Sequence, residues 1–186
     1  MSDNIFIDEV FKDKNKITKG EYENCKFVNC NLSQGDITSI VFIDCIFENS
    51  NLSNIKSKNT SLKNVKFNNC KLLGFIFNDC NEFLMSVNFN NCKLNYASFY
   101  NLNIKNTLFT NCDLQEADFT KSDLTNSKFD NCELNRAVFQ KTNLEKVDFS
   151  TSYNYSIDVE NNKIKKAKFS LQEIGGLLNK YNIIIR

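Results

Sequence analysis

The sequence predicts an all-β chain wound as a square, parallel β-helix, and three observations carry that prediction. The hexapeptide FNNCKL at residues 67–72 returns at 89–94, and close variants begin at residues 27, 47, 109 and 129, so the steps are 20, 20, 22, 20 and 20. Within each twenty lies a period of five. Stepping by five from Tyr22 to Phe77, and again from Leu84 to Phe169, 28 of 30 positions are apolar, against about 12 expected from a 41% apolar composition. Two residues before most of these centres stands a small residue, such as Cys25, Cys30, Gly35, Cys45, Ser50, Ala97, Cys112 or Ala117.

These spacings select the backbone. A helix turns about 100° per residue, so a step of five rotates by roughly 140° and scatters the large residues around the axis. In an extended segment, a centre and the residue two before it point the same way. A corner after each five keeps both inside, and four corners close a coil of twenty that stacks on the next at about 4.8 Å. Residues twenty apart then form ladders. Phe89, Phe109, Phe129 and Phe149 line one side and Phe99, Phe119 and Phe139 the opposite one. Leu94, Leu114 and Leu134 line the third side, and Ile104, Leu124 and Leu144 the fourth. Asn91, Asn111 and Asn131 fall at one corner as an amide ladder.

Taken in order, residues 1–19 read as an N-terminal cap whose apolar residues fall out of register, and residues 20–170 as the solenoid of about 7.5 coils. The stretch 78–87 carries the two-residue slip, where one corner must bulge before the register restarts at Leu84. Residues 171–186 leave the pattern. Ser170 and Glu173 have capping-box spacing, Leu171, Ile174, Leu177, Leu178 and Tyr181 would share one face of a short helix, and Ile183, Ile184 and Ile185 read as a strand. So apolar a tip predicts a dimerisation module and a homodimer.

Composition removes several function classes. With no His, Ser–His and Cys–His catalytic pairs are impossible, and no Gly-rich phosphate loop is present. The eight cysteines include no C-x-x-C pair, and stacked Cys92, Cys112 and Cys132 would lie farther apart than a disulfide allows, so they read as small buried hydrophobes. No catalytic, cofactor or metal site is expected, and the chain is not expected to be an enzyme. The net charge of +1 argues against a nucleic-acid binder. The N-terminus carries acids where a signal peptide needs bases, and no stretch approaches a membrane span, so a cytoplasmic protein with reduced thiols and no membrane partner is expected.

Outward charges give the remaining signal. Lys56, Lys58, Lys63, Lys66 and Lys71 make a basic middle that reads as solvated surface. Asp113, Glu116, Asp118 and Glu133 form a modest acidic patch, the candidate partner-binding site.

The rule of a small residue, then Asp or Asn, then Leu or Phe, seen in ADFTKSDLTNSKFDNCEL at 117–134, resembles the pentapeptide repeat signature over residues 20–170. That resemblance implies a right-handed quadrilateral β-helix. The tail, SIDVENNKIKKAKFS followed by GLLNKYNIIIR, is similar to that of the quinolone-resistance (Qnr-type) group. This second likeness implies a head-to-head dimer through the final helix and strand. It also implies binding to DNA gyrase or topoisomerase IV, with protection from quinolones through mimicry of duplex DNA. The chain departs from that group in its near-neutral charge and in lacking large surface loops. A β-helical scaffold for another protein, with no topoisomerase role, is the alternative.

Overall fold

The computed structural model describes residues 4–184. Its thirteen short strands are β1 (Ile5–Ile7), β2 (Val10–Lys12), β3 (Glu21–Glu23), β4 (Lys26–Val28), β5 (Val41–Ile43), β6 (Ile46–Glu48), β7 (Ser61–Lys63), β8 (Val65–Asn68), β9 (Val87–Asn90), β10 (Leu108–Thr110), β11 (Lys128–Asp130), β12 (Asp148–Phe149) and β13 (Lys168–Phe169). They pair in parallel in two sheets. A nine-stranded sheet runs β13-β12-β11-β10-β9-β8-β6-β4-β2, and a four-stranded sheet runs β1-β3-β5-β7. The chain is therefore an all-β, four-sided parallel β-helix, and nine strands on one side mean eight steps from coil to coil. Register follows the repeat, with Phe27 opposite Phe47, Phe47 opposite Phe67, Phe67 opposite Phe89, and Phe89 opposite Phe109. Sides without strands are joined by single parallel bridges, such as Asp113 to Glu133 and Asn103 to Asp123.

The corner explains the sequence rule. Two residues after most centres the backbone enters the left-handed region, and about half of these residues are asparagine. Asn tolerates that conformation because its short amide bonds locally. The same amides link coils: Asn91 Nδ2 donates to Asn69 Oδ1 and Asn131 Nδ2 to Asn111 Oδ1, both at 2.7 Å. The small residue before each centre has a second task. The Thr60 hydroxyl donates to Ile37 O at 2.8 Å, Thr142 to Phe119 O at 2.8 Å, and Ser152 to Phe129 O at 2.7 Å, each to the coil below. Cys70 Sγ lies 3.4 Å from Phe47 O and Cys132 Sγ 3.3 Å from Phe109 O. Cysteine here is a small hydrophobe that also contributes a weak donor to a buried carbonyl. All eight are buried and free, and burial pushes the Cys45 and Cys80 thiols up to about 12, which keeps them protonated at neutral pH.

Phenylalanines fill the interior. Phe99, Phe119 and Phe139 stack at 4.9 and 5.0 Å, and they meet the Phe109–Phe129 ladder edge-on at 5.6–6.2 Å. That edge-to-face contact is the geometry ring quadrupoles favour. Below the slip the second aromatic ladder stands on the adjoining side instead, where Tyr22 stacks on Phe42 at 5.5 Å and Phe42 meets Phe27 and Phe47 edge-on.

Three segments differ from expectation or refine it. Phe6 and Phe11 join the ladders, pairing with Tyr22 and Phe27 sixteen residues on rather than twenty. The described part of the expected N-terminal cap is thus a shortened coil. Leu84 is not a core centre. Residues Phe83 and Leu84 form the turn of the bulge, both about two-thirds exposed, with Leu84 in the left-handed region at φ 58°, while Met85 packs against the core.

The C-terminal helix is replaced by two 3-10 turns, Ile174–Leu177 and Asn179–Tyr181. Gly175 and Gly176 weaken any α-helix here, and Gly176 lies so close to the last coil that a Cβ would sit 2.0 Å from Tyr155 O. The expected capping box is absent. Ser170 Oγ accepts from Gln172 N, and Glu173 Oε2 instead accepts from Asn154 N at 2.9 Å. Ile183 and Ile184 form no strand, and Ile185 lies outside the described residues.

Candidate functional site

The four acids expected as a partner patch lie on two adjoining sides of the upper rod. Asp113 and Glu133 are bridged neighbours in one vertical column, while Asp118 stands on the next side between Ser98 and Val138. Glu116 occupies the corner between them in the left-handed conformation. Its carboxylate is 3.7 Å from Arg136 Nη1, so its charge is partly compensated. The other three have no cationic partner among the described residues. Asp113 Oδ1 accepts from Asn95 Nδ2 at 2.8 Å, Asp118 Oδ1 from Thr120 N at 2.8 Å, and Glu133 from Asn135 N and both ways from Asn154 Nδ2. These bonds fix the carboxylates' directions and leave their charge facing outward.

Reading the sequence for acids alone misses three tyrosines beside them. Tyr153 follows Glu133 in the same column, Tyr96 precedes Glu116 at the shared corner, and Tyr100 lies on the Asp118 side; exposures are 39%, 61% and 39%. Lys121 Nζ lies over the Tyr100 ring and donates to its hydroxyl at 2.8 Å. Desolvation, then the Glu133 and Asp113 charges, hold the Tyr153 hydroxyl above its usual pKa. The signal was available, since a tyrosine at an outward position of the five-residue register cannot be serving the core. Large rigid aromatics are enriched in protein-binding hot spots, and acids beside them suit the polar rim of such an interface.

Below Asp113 the column continues into Lys93 and Lys71, neither of which has an ion-pair partner among the described residues. Shallow grooves of about 270 and 320 Å³ flank this column, the first along Lys71, Lys93 and Asp113 and the second along Asp113, Glu133 and Tyr153. The side is therefore bipolar, with two cations followed by two anions.

At the C-terminal tip, Leu171 is 85% exposed and Ile174, Ile183 and Ile184 are also exposed, whereas Leu177 packs on the core and Leu178 is half-buried. The residues expected to form a helical face are thus divided between covering the last coil and facing outward. Lys180 clamps this segment to the rod, bonding Asp158 Oδ1 at 2.6 Å and also Glu160.

Among the described residues no group of three or more acidic, cysteine or histidine side chains could hold a metal ion, and no helix is long and apolar enough to cross a membrane.

Comparison with known proteins agrees with this architecture. The sequence model of the pentapeptide repeat region matches residues 20–99 and 82–169. No curated protein sequence matches the chain. Among solved structures, a trypsin-treated variant of QnrB1, a plasmid-mediated fluoroquinolone resistance protein, superposes with a TM-score of 0.66 at 18% identity over 98% of this chain and 97% of its own. A second trypsin-treated QnrB1 variant gives 0.65 at the same identity. HetL, a pentapeptide repeat protein involved in heterocyst differentiation regulation from Nostoc sp. strain PCC 7120, gives 0.50 at 13% identity over 88% and 84%. At these identities the likeness establishes the fold.

Proposed function

The chain belongs to the pentapeptide repeat family, and on that premise we propose that it is a non-catalytic, protein-binding rod that engages a type II topoisomerase, DNA gyrase or topoisomerase IV, and shields it from quinolones. The observation that carries this reading is the upper face, where Asp113, Asp118 and Glu133 stand uncompensated beside Tyr96, Tyr100 and Tyr153. A surface that normally grips duplex DNA is positive, and a local negative, aromatic face on a rod offers it a substitute. Likeness in fold to a fluoroquinolone resistance protein along almost the whole chain supports the same direction. The mimicry is partial. Duplex DNA carries one charge per about 1.7 Å of axis, whereas this chain has 22 acids against 23 bases. Binding is centred on the patch, weaker than that of a uniformly acidic rod, and lost steeply with salt.

The rod works as a homodimer joined at its C-terminal tip through Leu171, Ile174, Leu178, Ile183 and Ile184, with Leu177 packed on its own coil. Light scattering at tens of micromolar reads a dimer on this account and a monomer against it.

A second reading is favoured by Lys93 and Lys71 standing directly below Asp113. A bipolar column suits a partner with matched charges of both signs, and the rod is then a scaffold with no topoisomerase role. A supercoiling assay with and without a quinolone separates the two. Protection or inhibition at micromolar concentration supports the first reading, and neither leaves the scaffold alone.

A further inference from the structure

The first coil is four residues short, and the place where they are missing is specific. Phe11 to Tyr22 spans 11 residues, whereas Phe27 to Phe42, covering the same three sides one coil up, spans 15. The chain cuts across a corner that every later coil fills, leaving a recess of about 460 Å³ beneath Leu32, Gly35, Asp36 and Ile37, with Ile17 and Lys16 at its edge. Three sides of the second coil are stitched to the first, through Glu21 N to Asn4 O, Lys26 N to Glu9 O and Asn31 N to Lys14 O. The fourth is not. Asp36 N–H and Ser33 C=O have no hydrogen-bond partner among the described residues, although their counterparts one coil up, Lys56 N–H and Ser53 C=O, are both paired to the coil below.

We propose that this recess is a docking site for an extended, acidic peptide segment of a partner protein, which completes the missing corner by strand addition. An unpaired backbone edge is a template for such pairing. The complete coils show the bonds available. At the equivalent corner, Glu116 N–H donates to Asn135 O and Ala117 C=O accepts from Val138 N, so a peptide supplies one N–H to Ser33 O and one C=O to Asp36 N–H. Leu32, Ile37 and Ile55 behind the recess are only 2–5% exposed, so the apolar contact open to one aliphatic side chain is the half-buried Ile17 at its edge. Charge selects the flanks. Asp36 is already paired with Lys19 at 3.0 Å and its Oδ1 accepts from Thr38 N, whereas Lys16 and Lys56 line the recess with no ion-pair partner among the described residues. A carboxylate on either side of the aliphatic residue meets them.

The probe is the capped hexapeptide DLQEAD, which copies residues 113–118, the chain's own filling of this corner, and carries three carboxylates around one leucine. Titrated into isotopically labelled full-length protein, it should shift the amides of residues 33–37 saturably, while a version with serine in place of leucine does not. The double variant Lys16→Glu, Lys56→Glu, altered only at surface lysines, should retain the native amide spectrum elsewhere and bind about fivefold more weakly or worse. Absence of saturable shifts, or binding indifferent to the charge reversal, overturns the proposal. So does a shift of the same amides on removing residues 1–3, which makes the chain's own terminus the occupant, or on raising protein concentration without peptide, which makes it a second copy.

Discussion

Below the two-residue slip and above it, one five-residue rule builds two different interiors. In the lower coils the aromatic ladders stand on adjoining sides, Tyr22 and Phe42 beside Phe27 and Phe47, and both sides form hydrogen-bonded sheets. In the upper coils they stand on opposite sides, Phe109 and Phe129 facing Phe99 and Phe119, and only one side is a sheet. Phe75 and Phe77, stacked at 4.2 Å immediately before the slip, are where the second ladder changes sides. What recurs in most coils is content, the coil with Ser57 at its fourth inward position excepted. The coil with Tyr22, Phe27, Leu32 and Ile37 and the coil with Leu124, Phe129, Leu134 and Phe139 each hold two aromatics and two aliphatics, all buried. Filling the square cross-section to interior density constrains the sum of the four residues more tightly than the side each occupies.

The largest expected effect tests the filling itself. Phe119 is fully buried between Phe99 and Phe139, and Phe119→Ala should cost about 3–5 kcal/mol in a chemical denaturation series. Thr120→Lys, one residue along and pointing outward, should change stability by about 0.5 kcal/mol or less. Equal losses would contradict the inward and outward assignment.

A swap asks whether content or position matters. Phe119→Leu with Ile104→Phe converts an upper coil to the lower arrangement without changing its load. The double variant should lie within about 1.5 kcal/mol of the parent and above the more damaging single change. Strictly additive losses would mean that position, and not volume, governs.

At the seam, Leu84 has φ 58° and is exposed, so its conformation is not offset by burial. Leu84→Asn places a residue that tolerates this conformation and should raise stability by about 0.5–1 kcal/mol. A loss of that size would show that the Leu84 side chain packs in solution.

The smallest effect concerns the tip. Hydrogen bonding from Lys180 holds the Asp158 and Glu160 carboxyls below their usual values. Lowered values in the folded state mean that the clamp is complete above the unfolded carboxylate range near pH 4 and weakens as pH falls through the folded values. The Ile157 amide, which donates to Gly176 O at 3.0 Å, should lose roughly two- to fivefold in hydrogen-exchange protection between pH 6 and pH 3. In Lys180→Met that pH dependence should disappear.

The solenoid was legible because its information is periodic. A large apolar residue at almost every fifth position from Tyr22, on either side of the slip, leaves no other backbone, and the asparagine ladder at residues 91, 111 and 131 follows from the same spacing. Where periodicity stops, so did legibility. A residue count places the slip but cannot say whether Leu84 or Met85 turns inward, because both are apolar. The helical spacing of Leu171, Ile174, Leu177 and Leu178 was real, but the Gly175–Gly176 pair and the contact with Tyr155 favour 3-10 turns. The shortened first coil was hidden because its step of sixteen occurs once. The acidic patch was readable from charge, and its tyrosines were readable in principle as aromatics at outward positions.

The functional claim rests on two local patches, the acids and tyrosines around Asp113, Asp118 and Glu133 in the upper coils and the lysines Lys56, Lys58, Lys63 and Lys66 below the slip. Gyrase binding by two reversed variants tests it directly. One replaces Asp113, Glu116, Asp118 and Glu133 by Lys; the other replaces Lys56, Lys58, Lys63 and Lys66 by Glu. The account predicts that the first loses binding and quinolone protection while the second keeps both. Loss in the second variant with retention in the first would contradict it.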